Sequence, residues 1–431
     1  MKQFFRFDEL GTNYRREFTA GLTTFLSMAY ILAVNPMILG EAGMDEGAVF
    51  TATALAAIIG TLLMGLLANY PIGLAPSLGL NSFFTYSVVV GMGIPWETAL
   101  AGVLASGIIM IFITLLKIRE KIINVIPKDL KYATSAGIGF FIAFIGLKNA
   151  EIIIDDPATF VALGNLTAWP TLLAIIGFII TIILLVRGFN GGIFYGMVIT
   201  AIIGVIFGIS DRPDQIVSAI PSLEPTFGVA FQELGNIFTL DLLVVIFTFL
   251  FVDFFDTAGT LIAIASQAGI MKGNKIPRAS KALFADSTAT VAGSVLGTST
   301  TTSLIESSSG IAAGGRSGFT AVVVAGLFFV SMFFSPLLVV ITSYVTAPAL
   351  IIVGILMAKQ LYNIEWGNLA IAIPAFVTVI MMPLTFSVAT GIALGFILYP
   401  IMMFAIKRRQ EIHPIMYGLS VIFIIYFAYL V

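Results

Sequence analysis

Long apolar runs, separated by short polar segments, follow one another along almost the whole chain. A run of about 20 apolar residues is long enough to cross the hydrocarbon core of a bilayer as a helix. The pattern therefore predicts an all-α polytopic membrane protein with fourteen transmembrane segments, followed by an apolar stretch from about 415 to the C-terminus. The predicted segments cover residues 18–40, 48–69, 76–92, 98–116, 132–147, 168–186, 192–209, 238–268, 282–297, 303–314, 319–342, 345–360, 367–384 and 388–406.

Two of these segments are too short, or too interrupted by Gly, Pro, Ser and Thr, to be plain spanning helices. They are 76–92 and 303–314, and each is the third segment in its half of seven. Irregular backbone is tolerated at membrane depth where protein surrounds it or where it lines a cavity. A pair of broken helices in equivalent places of two inverted halves marks the substrate site of many transporters. In addition, Asn35-Pro36 predicts a kink or an end in the first helix.

Short internal matches support two repeats of seven segments. Tyr132-Ala-Thr134 at the start of one segment resembles Tyr344-Val-Thr346 at the start of another, and Trp169 and Trp366 each begin a later segment. An odd number of helices in each repeat inverts the second half relative to the first in the membrane. The matches fall in the right order, so they predict an inverted repeat.

Composition excludes several classes of protein. Only 10% of the residues are charged and 59% are hydrophobic, whereas an average soluble domain carries about 25% charged residues. The net charge of −2 excludes a disordered chain and gives no basic excess for binding nucleic acid. Cys is absent and His413 is the single histidine. We therefore expect no disulfide, metal centre, cofactor or catalytic triad, and no enzyme.

The basic residues predict the orientation in the membrane. With residues 1–17 in the cytoplasm, 19 of the 21 Lys and Arg residues fall on the cytoplasmic side, as the positive-inside rule requires. Lys148 and Arg212 are the two that fall outside this pattern. The charged opening MKQFFRFDEL predicts a retained first helix and not a cleaved signal peptide. The expected location is the cell membrane.

Four acidic residues lie inside apolar segments, and no Lys or Arg lies deep enough to pair with them: Asp253, Asp256, Asp286 and Glu306. An ionisable group in hydrocarbon is costly, so it usually has a functional role. Acids without a buried base indicate cation binding, proton uptake or hydrogen bonds to the N–H groups of a substrate. Asp253, Asp256 and Thr260 are spaced by three and four residues, which places them on one helical face.

The two broken segments contribute further candidates. Glu306 lies in TSTTTSLIESSSGIAAGG, where polar and small residues predominate. If a half-helix begins near Glu306, its free N–H groups stabilise the carboxylate or a polar ligand. The first-half segment offers Asn81, which can donate and accept hydrogen bonds, and the aromatic face of Phe83. Packing remains the alternative for Phe83, and Asp253 remains open between bracing Asp256 and carrying a proton. Asp286 is interpreted as a structural hydrogen-bonding acid.

At these motifs the sequence resembles the second nucleobase–cation symporter family, in its AzgA-like branch of adenine, guanine and hypoxanthine permeases. The resemblance covers essentially the whole chain. Its motifs are RFDELGTNYRREFTAGLTTFLSMAYILAVNPMIL, GLNSFF, VDFFDTAGTL and TSTTTSLIESSSGIAAGGRSG. It places Asp256 and Glu306 at the substrate-binding acids of the eighth and tenth helices, and Asn81 at the polar position of the third. Thr260 stands where other branches carry a proton-linked His or acid, which shifts proton coupling to Asp253, Asp256 and Glu306.

The resemblance implies a core domain and a gate domain, with short strands in segments 3 and 10 and the base bound between the domains. The implied boundaries are a cytoplasmic N-terminus at 1–17, the two core halves at 18–116 and 238–342, the two gate halves at 132–209 and 345–406, and a C-terminal segment at 407–431. Members of the family it resembles dimerise, and the sequence leaves open whether this chain also forms a homodimer.

The function expected from these residues is import of a purine base by proton symport, with the core moving against the gate. Asp256 and Glu306 would accept ring N–H groups, Asn81 would complement a carbonyl or ring nitrogen, and Phe83 would pack on the ring. The expected partners are the purine, a proton and the lipid bilayer. The sequence leaves open adenine, guanine or hypoxanthine as the substrate, and Na⁺ as the coupling ion.

Two other functions compete with this one. An anion transporter of SulP-like architecture would want a cationic site, but the deep residues here are acidic. An intramembrane aspartyl protease would want aspartates on two facing helices, but Asp253 and Asp256 share one helix.

Overall fold

The computed structural model describes residues 1–116, 127–189, 191–267 and 277–430. The described chain is mostly helical, with two small two-stranded sheets, so the predicted helical membrane fold is confirmed. Eight helices in the described residues are long and apolar enough to cross a membrane by length and composition. The count of fourteen crossings stays a prediction.

The elements before residue 210 contain the first of the paired strands. In chain order they are α1 (Phe7–Leu10), α2 (Tyr14–Met28), α3 (Ile31–Gly40), α4 (Glu46–Leu63, with a π-helical end Met64–Ala68), β1 (Leu74–Pro76), α5 (Leu78–Ser82, continued as a π-helix Phe83–Gly91), α6 (Trp96–Leu115), α7 (Lys128–Asn149), β2 (Ile153–Asp156), β3 (Phe160–Leu163), α8 (Trp169–Val186) and α9 (Gly192–Ile206).

The remaining elements repeat the arrangement of a strand followed by a short helix. In chain order they are α10 (Val229–Gln232, then a 3₁₀ turn Glu233–Asn236), α11 (Leu240–Gln267), α12 (Ala279–Leu296), β4 (Thr301–Ser303), α13 (Ser307–Ala312), α14 (Gly318–Ser331, then a 3₁₀ segment Met332–Val340), α15 (Ser343–Ala358, then 3₁₀ Lys359–Asn363), α16 (Leu369–Leu384), α17 (Val388–Ala405, then 3₁₀ Arg409–Glu411) and α18 (Pro414–Leu430).

The two interrupted segments meet as an antiparallel pair of strands. Leu74 of β1 lies opposite Ser303 of β4, and Pro76 lies opposite Thr301. The pairing continues on both sides, because Ser77 N donates to Thr300 O at 2.9 Å and Leu304 N donates to Gly73 O at 3.1 Å. All six strand residues are buried. Each strand therefore satisfies the backbone groups of the other where no water would do so, and the predicted strands in segments 3 and 10 are confirmed.

The first predicted transmembrane segment, 18–40, is interrupted earlier than Asn35-Pro36. The break lies at Ala29 and Tyr30, between α2 and α3, and Pro36 lies inside α3. After the break the backbone makes tighter bonds of the i→i+3 type, from Leu32 N to Ala29 O and from Ala33 N to Tyr30 O, both at 3.1 Å. The interruption gives Tyr30 a position at the end of one helix and the start of the next.

The long helices pack in two groups. In the first, α12 packs on α4 and α6, α14 packs on α2 and α4, and both α11 and the π-helical segment after α5 pack on α6. In the second, α7 packs on α15 and α16, α16 packs on α17, and α8 packs on α9 and α15. Glycine allows the backbones to approach closely at crossings in both groups, at Gly65 and Gly318 in the first and at Gly139 and Gly354 in the second.

The last apolar stretch of the chain forms the helix α18, which packs back on α17. Ser420 Oγ donates to Phe396 O at 2.7 Å. The ring of Phe423 lies 5.8 Å from that of Phe251 on α11 and 6.0 Å from that of Phe396 on α17. The C-terminal helix α18 therefore contacts both α11 and α17.

A buried carboxylate fixes the start of α14. Glu17, which is fully buried, accepts hydrogen bonds from Arg316 N at 3.0 Å and Ser317 N at 3.2 Å. It also accepts from the hydroxyls of Thr12 and Thr320, both at 2.6 Å. Four donors satisfy the two carboxylate oxygens, and two of them are the backbone N–H groups directly before the helix.

We expect Glu17→Gln to lower the stability of the folded protein by about 1–3 kcal/mol, since the new amide would present N–H groups to existing donors. The measurement is the thermal midpoint of the detergent-solubilised protein, followed by size-exclusion chromatography. Glu9→Gln is the matched control, because Glu9 is exposed and pairs with exposed Arg6, so its midpoint should stay unchanged. Equal midpoints for both variants would contradict the capping role of Glu17.

Candidate functional site

The paired strands bring the two broken segments, and their candidate residues, to one place in the fold. Asn81 lies in α5, which begins directly after β1, and Glu306 immediately precedes α13, which follows β4. Because β1 and β4 are antiparallel, the two short helices begin at opposite ends of the strand pair. In addition, α11, the helix that carries Asp253, packs against both α5 and α13. Three parts of the chain that are distant in sequence therefore meet around the strand pair, and we call the polar side chains that they carry there the polar region.

Glu306 is hydrogen-bonded to the break between α2 and α3. Tyr30 OH donates to Glu306 Oε1 at 2.5 Å, and the Glu306 side chain is half-buried. Next to it, the hydroxyls of Ser27 and Ser309 lie 2.8 Å apart, and Ser309 Oγ donates to Glu306 O at 2.7 Å. A carboxylate carries about four acceptor positions, so Glu306 keeps the capacity to accept N–H groups from a ligand.

Asn81 belongs to a buried amide network. It is fully buried and its Nδ2 donates to Asn35 Oδ1. Asn35 Nδ2 in turn contacts Thr53 Oγ1 at 2.7 Å and Thr298 Oγ1 at 2.9 Å. Asn81 Oδ1 has no hydrogen-bond partner in the part of the chain that the structure describes. A buried acceptor without a partner is uncommon in folded proteins and indicates a missing donor.

Two buried acids share a threonine hydroxyl. Thr257 Oγ1 lies 2.8 Å from Asp286 Oδ2 and 3.2 Å from Asp253 Oδ1. Asp286 Oδ1 also accepts from Ser303 N at 2.9 Å and from Ser303 Oγ at 3.1 Å. Asp286 thus joins α11, α12 and β4, in agreement with its interpretation as a structural acid. The Thr257 hydroxyl has one hydrogen, so it cannot fully satisfy both carboxylates.

The remaining candidates on α11 follow Asp253 in the sequence. The backbone of Asp256 is helical, but its side chain lies outside the described residues. Thr260, one turn further along, is half-buried. Asp253 and Thr260 are seven residues apart, which places them on the same face of the helix. The described residues contain no cluster of three or more His, Cys, Asp or Glu side chains that could hold a metal ion.

A cavity of about 840 Å³ lies between the two packing groups. Its volume falls within the range of small-molecule sites, about 300–1,000 Å³. One wall is the π-helical segment after α5, from Phe83 to Met92, together with Val244, Val245 and Thr248 of α11. The opposite wall is the end of α7 and the connection between α16 and α17. Helices of the π type are rare and often occur at functional sites.

Phe83 is the candidate residue that lines this cavity; Glu306, Asn81, Asp253 and Thr260 do not line it. The Phe83 ring packs edge-to-face against Phe249, with centroids 5.1 Å apart. Only 2% of Phe83 is exposed, so it has a packing role as well as a place in the cavity wall.

A hairpin of β2 and β3 covers part of the cavity. Ile153, Ile154 and Asp155 of β2 and Phe160 and Val161 of β3 contribute to the lining. The turn is fixed by Asp156, whose Oδ1 accepts from Ala158 N at 2.8 Å and from Thr159 N at 2.9 Å. The hydrogen bonds from Thr159 N and Ala158 N hold the pKa of Asp156 below its usual range.

Sequence reasoning missed Tyr30, Asn35 and Thr257 as parts of this region. Tyr30 and Asn35 lie inside the AYILAVNP stretch of the first segment, where a hydroxyl and an amide in an apolar run are the available signal. Their partners are far away in the chain, so the pairing itself could not be seen in the sequence.

A helical membrane fold with two interrupted segments paired through short strands, and a cavity between two packing groups, defines a membrane transport protein. The sequence profile of the Permease family (Xan_ur_permease) matches residues 15–394 of the chain. The chain belongs to this family of xanthine/uracil permeases, and its relatives are named as transporters and not as enzymes.

Several curated relatives are similar over their whole length. The guanine/hypoxanthine permease PbuG of Bacillus subtilis is 58% identical over 439 residues, covering 100% of both chains. The putative permease MJ0326 of Methanocaldococcus jannaschii is 53% identical, covering 100% of this chain and 98% of the relative. The adenine permease AdeP of Escherichia coli is 43% identical, covering 99% of this chain and 95% of the relative.

Two solved structures have a similar fold. The transmembrane domain of the cyanobacterial bicarbonate transporter BicA gives a TM-score of 0.64 at 18% identity, with 91% of this chain and 97% of that chain covered. SLC26A9 also gives 0.64, at 12% identity, with 90% of this chain and 65% of that chain covered. At such identities the likeness concerns the fold alone. These neighbours are transporters of seven-plus-seven inverted-repeat architecture.

Proposed function

We propose that this protein imports a purine nucleobase, among hypoxanthine, guanine and adenine, together with a proton. The names of the relatives support the substrate class, since PbuG is named for guanine and hypoxanthine and AdeP for adenine. The observation that carries the proposal is the half-buried Glu306 carboxylate, which lies directly after β4 of the strand pair and accepts a hydrogen bond from Tyr30.

The polar region matches the hydrogen-bonding groups of a neutral purine. A purine presents ring N–H donors and ring-nitrogen acceptors around a flat apolar face. Glu306 and Asp256 accept the N–H groups, and Asn81 offers an oxygen that has no partner among the described residues. Thr260 adds a hydroxyl on the same helix as Asp256, and Phe83 supplies an aromatic face at the cavity wall.

The shared hydroxyl of Thr257 supports a proton at Asp253. Since Thr257 donates its hydrogen to Asp286 at 2.8 Å, a protonated Asp253 can in turn donate to the Thr257 oxygen at 3.2 Å. In this arrangement the Thr257 hydroxyl accepts from one carboxyl group and donates to the other, on a helix whose sequence carries no basic residue. Asp253, Asp256 and Glu306 are the proposed proton-coupling groups. When the proton is released on the inner side after transport, the carboxyl group that carried it becomes negatively charged.

Transport then follows from movement of one packing group against the other. The contacts within the first packing group support the proposed core, 18–116 with 238–342, and those within the second support the proposed gate, 132–209 with 345–406. The cavity lies where the two groups face each other. We place residues 1–17 in the cytoplasm and the protein in the cell membrane, on the basis of the distribution of basic residues. The homodimer stays a prediction.

Uptake by the purified protein in liposomes tests the proposal. With the membrane potential held at zero, no sodium, and a gradient of one pH unit with the acid side outside, labelled hypoxanthine should accumulate to about ten times its outside concentration if one proton accompanies each base. One pH unit is a tenfold ratio of proton activity. A protonophore should abolish the accumulation, and protein-free liposomes are the control. Competition by guanine, adenine and uracil defines the range of substrates.

Three results would contradict parts of the proposal. Absence of hypoxanthine uptake would contradict the substrate, and accumulation driven by a sodium gradient alone would replace the proton by Na⁺. Uptake of bicarbonate or sulfate would favour the SulP-like alternative, which the acidic site and the names of the relatives do not favour.

A further inference from the structure

Lys148 is one of the two basic residues that do not fall on the cytoplasmic side in the predicted topology. It lies at the end of α7, on the side away from most of the other basic residues in the predicted topology. Its side chain is exposed and lines the cavity between the two packing groups. Among the residues that the structure describes along this cavity, Lys148 is the one basic side chain, and Glu151 and Asp155 are acidic.

Two aromatic rings position the Lys148 ammonium group. Its Nζ lies 5.4 Å from the ring centroid of Phe386 and 5.9 Å from that of Tyr86, within the range of cation–π contacts. In the described part of the chain, no carboxylate lies within salt-bridge distance of this nitrogen. Its N–H groups therefore have no negative partner and can serve a ligand.

The rings themselves are held in place across the cavity. The Tyr86 and Phe386 rings meet edge-to-face at 5.4 Å, and Ser87 Oγ donates to Phe386 O at 3.0 Å. Phe386 has a left-handed backbone conformation, with φ of 53°, which is costly for a large side chain. In this conformation the Phe386 ring, which belongs to the α16–α17 connection, packs against Tyr86 of the π-helical wall.

The cavity thus combines aromatic faces with a fixed donor. An ammonium group donates three hydrogen bonds and accepts none. It suits the exocyclic oxygen at the 6-position of hypoxanthine or guanine, whereas adenine carries an amino donor at that position. A site that donates to a substrate oxygen discriminates against an analogue without it.

We propose that Lys148, with Tyr86 and Phe386, forms an entry site that recognises the 6-oxygen of an oxopurine before the base reaches the polar region at Glu306. This inference rests on the proposed function, since it assumes that purines are transported. It assigns to the cavity wall a selection between oxopurines and adenine, separate from the acids that receive the ring N–H groups.

Competition kinetics with two variants test the site. In Lys148→Met, the KM for hypoxanthine should rise about tenfold, as expected for a lost hydrogen bond from a charged donor. The maximal rate should stay within about twofold, and the Ki of adenine should not change. Lys148→Arg, which keeps a charged donor, should restore most of the affinity for hypoxanthine. Lys359→Met, at the other end of the neighbouring helix α15, is the control for removing a lysine.

The ratio of the adenine Ki to the hypoxanthine KM separates recognition from a structural effect. A tenfold fall in this ratio supports the inference, since a packing defect would weaken both bases alike. Unchanged kinetics, or equal weakening of both bases, would overturn the inference while leaving the proposed function standing. Failure of the wild-type protein to take up hypoxanthine would overturn the proposed function, and the entry site with it.

Discussion

Replacing Glu306 by Gln should reduce hypoxanthine uptake roughly 100-fold, because the charge is lost and one acceptor oxygen becomes an NH2 donor that faces the N–H groups of the substrate. Each hydrogen bond to a charged group contributes about 1.5–3 kcal/mol. The variant should still fold, since Tyr30 OH can donate to the amide oxygen in place of Glu306 Oε1. The measurement is initial uptake of labelled hypoxanthine at several pH values, with the amount of folded protein determined on the same samples.

Companion variants make this result specific. Glu224→Gln removes an exposed loop carboxylate and should transport like the wild type. Tyr30→Phe keeps the carboxylate but removes the hydroxyl that orients it, so a smaller loss of about tenfold is expected. Asp256→Asn tests the second proposed acid in the same way. Full, pH-dependent uptake in both Glu306→Gln and Asp256→Asn would rule out the proposed roles of the two acids.

Gly318→Ala should leave little folded protein. A Cβ at residue 318 would overlap the backbone carbonyl of Gly65, in the π-helical end of α4. Backbone cannot move aside as a side chain can, and Gly65 is itself in close contact with Gly318 O and with Ala321. We expect a loss of stability of about 3 kcal/mol or more, at the upper end of overpacking effects.

Gly326→Ala provides a control in the same helix. No atom lies within 4 Å of a Cβ built at Gly326, and alanine favours a helix over glycine by about 1 kcal/mol. This variant should be as stable as the wild type or more so. Both variants are compared by the yield of monodisperse protein in detergent and by the thermal midpoint. Normal yield and midpoint for Gly318→Ala would show that the two helices can separate at this crossing.

The sequence predicted the fold where the pattern is long or strongly punctuated. Apolar runs of spanning length identified the helices, and Ser, Thr, Gly and Pro in two equivalent runs identified the segments that become β1 and β4. Irregular backbone in lipid needs a partner, so two such runs in one chain predict each other. The hairpin of β2 and β3 lay in a short loop without this constraint and was not predicted.

The candidate site was predicted in kind but not in its pairings. Acids in apolar runs are visible in any sequence, so Asp253, Asp286 and Glu306 were found. Which groups meet them depends on contacts between distant parts of the chain. Tyr30 and Glu306 are 276 residues apart, and no local pattern connects them. The Asn35–Asn81 contact and the Lys148–Phe386 contact are of the same kind.

The pairing of β1 with β4 also has a consequence for synthesis of the protein in the cell. Leu74 emerges from the ribosome 229 residues before its partner Ser303, an interval of about 10–50 s at elongation rates of roughly 5–20 residues per second. During that time the backbone groups of β1 have no strand partner, although each such group costs several kcal/mol in hydrocarbon. The nascent first half must therefore be sheltered by the insertion machinery, or stay outside the lipid, until β4 arrives. A ribosome stalled before residue 301 would leave the membrane-inserted chain a ready target for quality-control proteolysis.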